Sequence, residues 1–534
     1  MSLKIPLLCA SALLVPLYCL IAAVLRSDLV IEQMGDDALF FVRYAHNFLS
    51  SGRFSWNIGE SPAFGSTSQL YQLLTTAGVA FLPGREAVAV AILPAIMGSI
   101  AVLVLLRMSL RLTGPVAVHA PAHTPITLRV PVMAFAALLL GFNPKLYGHW
   151  FTGMETTTSI AAVALLLHMT HESAMRPWYL RYGLPAMIVL LCWVRPDLVV
   201  IAGPVLLLAL GASDTVRRRS ALTGILLAGI GLGLSMAVWW LYYGSPVPLP
   251  ALIKTALSPY ARTAIAEYHY GNVAEFFLLL REDSIAFLLA IYFFLRRPYC
   301  ASTADMGLAL GACTFILFEM FGNKLPITSG GARFLMPVLP IMLWYAIRGF
   351  AMALADLLHM APGAAGAFAT ACIAVTLFLS LPIVPQLAGF AQQARRVPHK
   401  SYIDALKGNA ARVGKWPIFA SLFDPDLARC GIADSEIGAI GLAPVSRTVY
   451  DMSGLNNVAL SLRREDAASY LARKAPDIVW YRRIDFYWGT HLSEDARFRS
   501  QYRYYPGPGI AVLNASPCAQ AAESAIAYSA MTAS

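Results

Sequence analysis

Gly35-Asp-Asp-Ala-Leu-Phe-Phe-Val-Arg-Tyr-Ala-His-Asn-Phe-Leu49 places two adjacent carboxylates, Asp36 and Asp37, just after one apolar run and ahead of a long series of others. The stretch continues through Ser50-Ser-Gly-Arg-Phe-Ser-Trp-Asn57 and Ser61-Pro-Ala-Phe-Gly-Ser-Thr-Ser-Gln-Leu70. Acids near a membrane exit are unfavourable unless they face water or a cavity, which makes them functional candidates. The plain structural alternative is capping: an Asp before a helix starting at Ala38 accepts free backbone N–H groups. One Asp suffices for a cap, and here there are two.

Composition sets the frame for that pair. The 534 residues are 58% hydrophobic and 13% charged, with mean hydropathy +0.61. Soluble domains carry about a quarter charged residues, so the chain reads as a polytopic α-helical membrane protein. The net charge of +10 lies mostly in short loops, where it reports orientation and not nucleic-acid binding. The expected spans are Ile5–Val24, Val88–Leu106, Val130–Phe142, Thr156–Met169, Tyr182–Val194, Leu198–Leu210, Ala221–Tyr243, Ile285–Leu295, Met306–Phe321, Phe334–Ile347 and Ala364–Leu381. The first could be taken for a signal peptide, but its apolar run is long and Leu25-Arg26-Ser27 is a poor cleavage site, so a retained helix is expected. Several spans are shorter than the usual ~20 residues. Assigning every arginine-rich loop to the cytoplasm gives an internal N-terminus, about eleven transmembrane helices and an external C-terminus.

That orientation gathers Asp36, Asp37, Glu155, Arg195 with Asp197, Lys254 and Arg333 on the outer face. Each has a plain alternative. Glu155, in Gly153-Met-Glu-Thr156, suits the first turn of a helix. Arg195-Pro-Asp197 reads as a turn with a local ion pair, or as a guanidinium offered to a phosphate. Lys254 follows a proline-rich stretch that breaks any helix and could snorkel to headgroups. Arg333 follows Ser329-Gly-Gly-Ala332 and is either an interfacial anchor or an anion holder beside glycines that admit close approach. Together they supply a general base and cations for a departing lipid phosphate. No P-loop, dinucleotide fingerprint or HExxH motif is present, which disfavours nucleotide and zinc chemistry. The expectation is no cofactor and no metal.

From Gln386 the hydrophobic runs shorten. Strand-like pieces at Thr448–Tyr450, Ile478–Tyr481 and Ile510–Leu513 alternate with helical pieces such as Arg464–Arg473, which suggests a small α/β domain. The domain expectation is 1–385 for the transmembrane catalytic part, with a first outer loop at 26–87, and 386–534 for a soluble part. Cys430 and Cys518 fall in that outer domain, where an oxidising compartment favours pairing; two unpaired thiols are the alternative.

At this point the ordered set resembles GT-C-fold glycosyltransferases, nearest the bacterial branch that contains terminal β-arabinofuranosyltransferases of actinobacterial cell walls. The carriers are Asp36-Asp37 with Phe41-Val-Arg-Tyr-Ala-His-Asn47, Gly65-Ser-Thr-Ser-Gln-Leu70, Gly153-Met-Glu-Thr156, Arg195-Pro-Asp197, the prolines before Lys254, Gly331-Ala-Arg-Phe334, and Cys430-Gly-Ile-Ala-Asp-Ser-Glu-Ile-Gly-Ala-Ile-Gly441 with Asp451-Met-Ser-Gly-Leu455. The sequence departs from many relatives at Ala38-Leu39-Phe40, where they carry Ala-Tyr-Ile. The resemblance implies an inverting enzyme of the bacterial inner membrane with its active site and C-terminal domain on the periplasmic side. It would move a sugar, arabinofuranose by analogy, from a polyprenyl-phosphate donor to a periplasmic or cell-envelope glycan or protein acceptor. Asp36 is then the favoured base, Asp37 its alternate, Glu155 the second acid, and Arg195, Lys254 and Arg333 the contacts to donor phosphate or sugar. The rivals are a lipid-linked sugar transporter or flippase, whose charges should sit near mid-bilayer on broken helices, and a non-catalytic carbohydrate-binding scaffold.

Overall fold

The computed structural model describes residues 4–112, 126–253, 274, 276–277, 279–296, 302–322, 333–414, 421–442, 447–463, 465–488 and 490–533. Lys254 lies outside the described residues.

Seven helices among the described residues are long and apolar enough to cross a membrane: Lys4–Leu25, Ala87–Leu112, Leu128–Gly148, Thr215–Tyr243, Thr303–Phe321, Met336–Met360 and Pro362–Arg396. This is fewer than the eleven expected. Tyr179–Val194, Pro196–Ala209 and Ser284–Arg296 are apolar but shorter. At about 1.5 Å per residue they fall short of a ~30 Å hydrocarbon layer by themselves. The short run expected at Val130–Phe142 does lengthen through its flanks. Burial separates bundle centre from boundary: 72% of the most apolar window of Met336–Met360 is buried, against 22% for Thr215–Tyr243. The latter exposes Leu222, Leu226, Leu234 and Leu241, as a lipid-facing helix does. Thr156–Met175 packs in the centre with Ser159, Ile160, Val163 and Leu167 fully or nearly buried.

The loop between the first two of these spans folds into Ser27–Gln33, Ala38–Ser51 and Gln69–Ala80. Ser68 caps the last of these, its side chain accepting from Tyr71 N–H. Residues 386–533 supply a five-stranded sheet, with β1 at Ile432–Asp434, β2 at Val449–Asp451, β3 at Ile478–Val479, β4 at Tyr502–Tyr505 and β5 at Ile510–Leu513. The spatial order is β2-β1-β3-β5-β4. β1 runs parallel to β2 and β3, while β5 is antiparallel to β3 and β4. The helices Val458–Ser461 and Ala467–Lys474 fill the crossover from β2 to β3.

Alternation along these strands builds two cores. Ile432, Ile478 and Val512 join one cluster, and their neighbours Ala433, Val479 and Ala511 join the other. The first cluster also contains Leu29, Val30, Ile31, Ala38, Leu39, Phe41 and Val42. The sheet and the loop at 26–87 therefore share one hydrophobic core. Polar bonds reinforce the seam. Arg43, fully buried, donates to the Trp56 carbonyl at 2.7 Å, Asn57 Oδ1 at 2.8 Å, the Arg447 carbonyl at 2.8 Å and the Gly441 carbonyl. Trp56 Nε1 donates to the Val449 carbonyl at 2.9 Å, and Asn409 Nδ2 to the Ile31 and Met34 carbonyls. Cys430 and Cys518 form a disulfide, Cα–Cα 6.0 Å, tying the residues before β1 to the helix Ala519–Ala533.

Candidate active site

Asp36 and Asp37 stand next to each other and do different things. Asp36 is buried, and both of its oxygens are used: Gly438 N–H donates to Oδ2 at 2.6 Å and Ala439 N–H to Oδ1 at 2.9 Å. The approach is so close that a Cβ on Gly438 would lie 2.0 Å from the Asp36 carbonyl oxygen, so only glycine fits there. Burial pushes Asp36 up to about 6, with the Asp37 charge adding and the two N–H donors and Arg483 opposing. Asp434 and Glu436 crowd the same spot. Burial lifts Asp434 to about 6 and Glu436 to about 8, and the mutual repulsion of these acids adds to both.

Asp37 turns the other way. Its side chain is 40% exposed, and Arg333 Nη2 donates to its Oδ2 at 3.2 Å. It precedes the helix Ala38–Ser51 but makes no side-chain capping bond, so capping does not account for either acid.

Asp37 lines a cavity of about 170 Å³ together with Glu155, Arg195, Asp197, Glu319 and Arg333. Phe40, Phe41, Met154, Phe318 and Phe334 supply the apolar wall, Ser66 and Thr67 add hydroxyls, and Pro248, Pro250 and Ala251 close one side. The proline-rich stretch is pinned by Leu249 N–H donating to the Phe64 carbonyl at 2.8 Å. Leu455, from the segment after β2, also reaches the cavity.

Each charged group arrives by a different route. Glu155 follows Gly153, whose φ of +72° turns the chain. Tyr71 Oη donates to the Gly153 carbonyl at 2.7 Å, and Gly35 N–H to the Thr152 carbonyl at 3.1 Å. Glu155 is buried, its side chain makes no capping bond, and its Oε2 has no hydrogen-bond donor among the described residues. Arg195 sits in the break between Leu184–Val194 and Pro196–Leu198, where Pro196 ends the preceding helix. It pairs with Asp197 and lies 3.5 Å from Glu319. Arg195 and Arg333 both approach the Phe334 ring, at 5.2 and 4.9 Å from its centroid.

Of the residues singled out from sequence, Asp37, Glu155, Arg195 and Arg333 thus meet in one cavity. Asp36 does not line it, because its carboxylate is committed to the sheet region. Glu319 is the lining acid that the sequence reading does not single out. Glu319 lies on a π-helical turn, Phe318–Gly322, at the end of an apolar run, and an acid in such a run was the available signal. Among the described residues no group of three or more His, Cys, Asp or Glu side chains is arranged to hold a metal ion.

No protein-family model and no curated protein matches this chain. Among solved structures it is similar to the oligosaccharyltransferase of Archaeoglobus fulgidus in its apo form, with 14% identity and TM-score 0.42 over 82% of this chain and 65% of that one. It is also similar to the archaeal oligosaccharyltransferase AglB from Archaeoglobus fulgidus in complex with an inhibitory peptide and a dolichol-phosphate, with 13% identity and TM-score 0.46 over 95% of this chain and 74% of that one. The chain thus spans just under two thirds of the first structure's length. Both scores are too low to establish a shared fold.

Proposed function

We propose that this chain is a GT-C-type inverting glycosyltransferase that moves a sugar from a polyprenyl-phosphate donor to a glycan or protein acceptor at the outer face of a bacterial inner membrane. Residues 1–385 form its catalytic transmembrane part and 386–534 its periplasmic part. Arabinofuranose is the sugar the sequence resemblance implies. The observation that carries the reading is the convergence of Asp37, Glu155, Arg195 and Arg333, from four separate stretches of chain, on one cavity.

In the reaction, an Asp37 oxygen takes the proton of the acceptor hydroxyl. The acceptor oxygen forms its bond to the anomeric carbon as the bond from that carbon to the phosphate oxygen breaks, and the electron pair leaves on the phosphate. Attack opposite the leaving group inverts the anomeric centre. Arg333 and Arg195 stabilise the departing phosphate with planar donor pairs. The Asp37–Arg333 contact, 3.2 Å long, couples the two halves: a phosphate that draws Arg333 to itself releases the Asp37 oxygen for the acceptor.

The test is incubation of purified protein with a panel of polyprenyl-phosphate sugars and an acceptor glycan, read by product mass. A product whose formation is lost in Asp37→Asn supports the reading. Turnover of a nucleotide sugar with none of any lipid-linked donor overturns the donor class. Movement of lipid-linked sugar across vesicles without product would favour the transporter.

A further inference from the structure

We infer that Glu155 is the residue that reads the transferred sugar, its Oε2 accepting a hydrogen bond from a ring hydroxyl of the donor; this rests on the proposed function. Glu155 is 8% exposed, and Oε2 lies below the surface without a donor among the described residues. A buried carboxylate oxygen left unbonded is unfavourable, so the site fits a ligand that brings a donor with it. Glu155 does not cap the helix Thr156–Met175, and the neighbouring Arg195 guanidinium hydrogen-bonds Asp197.

Burial assigns the role. Asp37, with a 40% exposed side chain, stands where an acceptor arriving from outside can meet it. Glu155 is sunk in the wall of the same cavity. A phosphate is excluded from Glu155 by like charge, whereas a sugar hydroxyl is neutral and donates. The cavity wall suits a ring as well: Phe40 and Phe41 line it with apolar surface. The Glu155 backbone is also held in place, through Tyr71 on the Gly153 carbonyl and Gly35 on the Thr152 carbonyl, and selectivity needs a fixed acceptor.

The experiment compares the affinity of the intact protein for a polyprenyl-phosphate sugar with that for the same polyprenyl phosphate lacking the sugar. Wild type, Glu155→Ala and Glu155→Gln are measured in one detergent. The wild type should prefer the sugar-bearing lipid. Glu155→Ala should erase that preference by about 10- to 100-fold, the range for one charge-assisted bond, while affinity for the bare lipid is kept or raised, because a negative charge beside Arg195 is removed. Glu155→Gln, which keeps an acceptor oxygen and the shape, should fall between. At saturating donor, kcat should drop far less than kcat/KM. An unchanged preference in both variants, or a collapse of kcat with donor affinity intact, overturns the assignment and leaves the proposed function standing. Failure of the wild type to bind either lipid overturns both.

Discussion

Replacing Asp36 should loosen the fold and spare the chemistry, whereas replacing Asp37 should do the reverse. Asp36→Ala leaves the Gly438 and Ala439 N–H groups, now bonded at 2.6 and 2.9 Å, buried without acceptors. At about 1–3 kcal/mol for each such group, the loss is on the order of 4 kcal/mol. Asp36→Asn retains one acceptor oxygen, so about half of that is expected. Asp37 is different, since its one bond at 3.2 Å joins a partly exposed pair. Asp37→Asn should change stability by no more than about 1 kcal/mol and lower turnover about 10²- to 10⁴-fold, the range for a general base. The assay pairs thermal unfolding in detergent, followed by fluorescence of the buried Trp56, Trp150 and Trp480, with donor turnover measured well below every melting temperature. The reasoning is refuted if Asp36→Asn melts like wild type yet abolishes turnover while Asp37→Asn remains active.

Arg333→Gln should weaken binding of bare polyprenyl phosphate by about 10- to 100-fold with little change in melting, and Arg333→Lys should restore part of it, because a point charge replaces a fork; equal affinity in all three would remove Arg333 from the phosphate site. Reduction of the Cys430–Cys518 bond, whose partners are 88 residues apart, should destabilise the C-terminal region by about 4–5 kcal/mol on the chain-entropy account; an intact mass that does not change on reduction would show that the bond is not formed. Stability should also depend on pH. Asp36, Asp434 and Glu436 hold their protons more tightly folded than unfolded, because burial lifts them to about 6, 6 and 8. Folding therefore takes up protons, and the seam should be firmest below about pH 4. It should weaken as pH rises to about 8, where Glu436 ionises in the folded chain. Glu436→Gln should flatten the upper part of the melting curve; a melting temperature that rises with pH across this window would contradict the assigned shifts.

Much of this site was legible because charge in an apolar chain is conspicuous. Asp37, Glu155, Arg195 and Arg333 stand out against long hydrophobic runs, and membrane burial leaves few reasons for them. The choice within the Asp pair was not legible. Adjacent residues leave the backbone in different directions, and the one that faces the cavity is decided by a turn at Gly438, 402 residues away. Glu319 was hidden for the opposite reason, a single acid inside a run whose average hydropathy absorbed it. In the C-terminal region, β5 stands at Ile510–Leu513 as the β-branched pattern indicates. β1, with three residues, is too short for any periodicity to show. β4 carries Tyr502 and Tyr504 on alternate positions, a period-two signal that went unused.

The seam between residues 36–57 and 434–456 sets a timetable as well as a shape. Arg43 and Asp36 are made early, yet their partners at Gly441, Arg447, Gly438 and Ala439 leave the ribosome about 400 residues later. At roughly 5–20 residues per second that delay is on the order of tens of seconds. Throughout it a guanidinium and a carboxylate destined for a dry interior must stay in water, and the cavity lacks Leu455. Newborn chains therefore pass through membrane insertion before the cavity is complete, and it closes only once the tail has come back to meet the head.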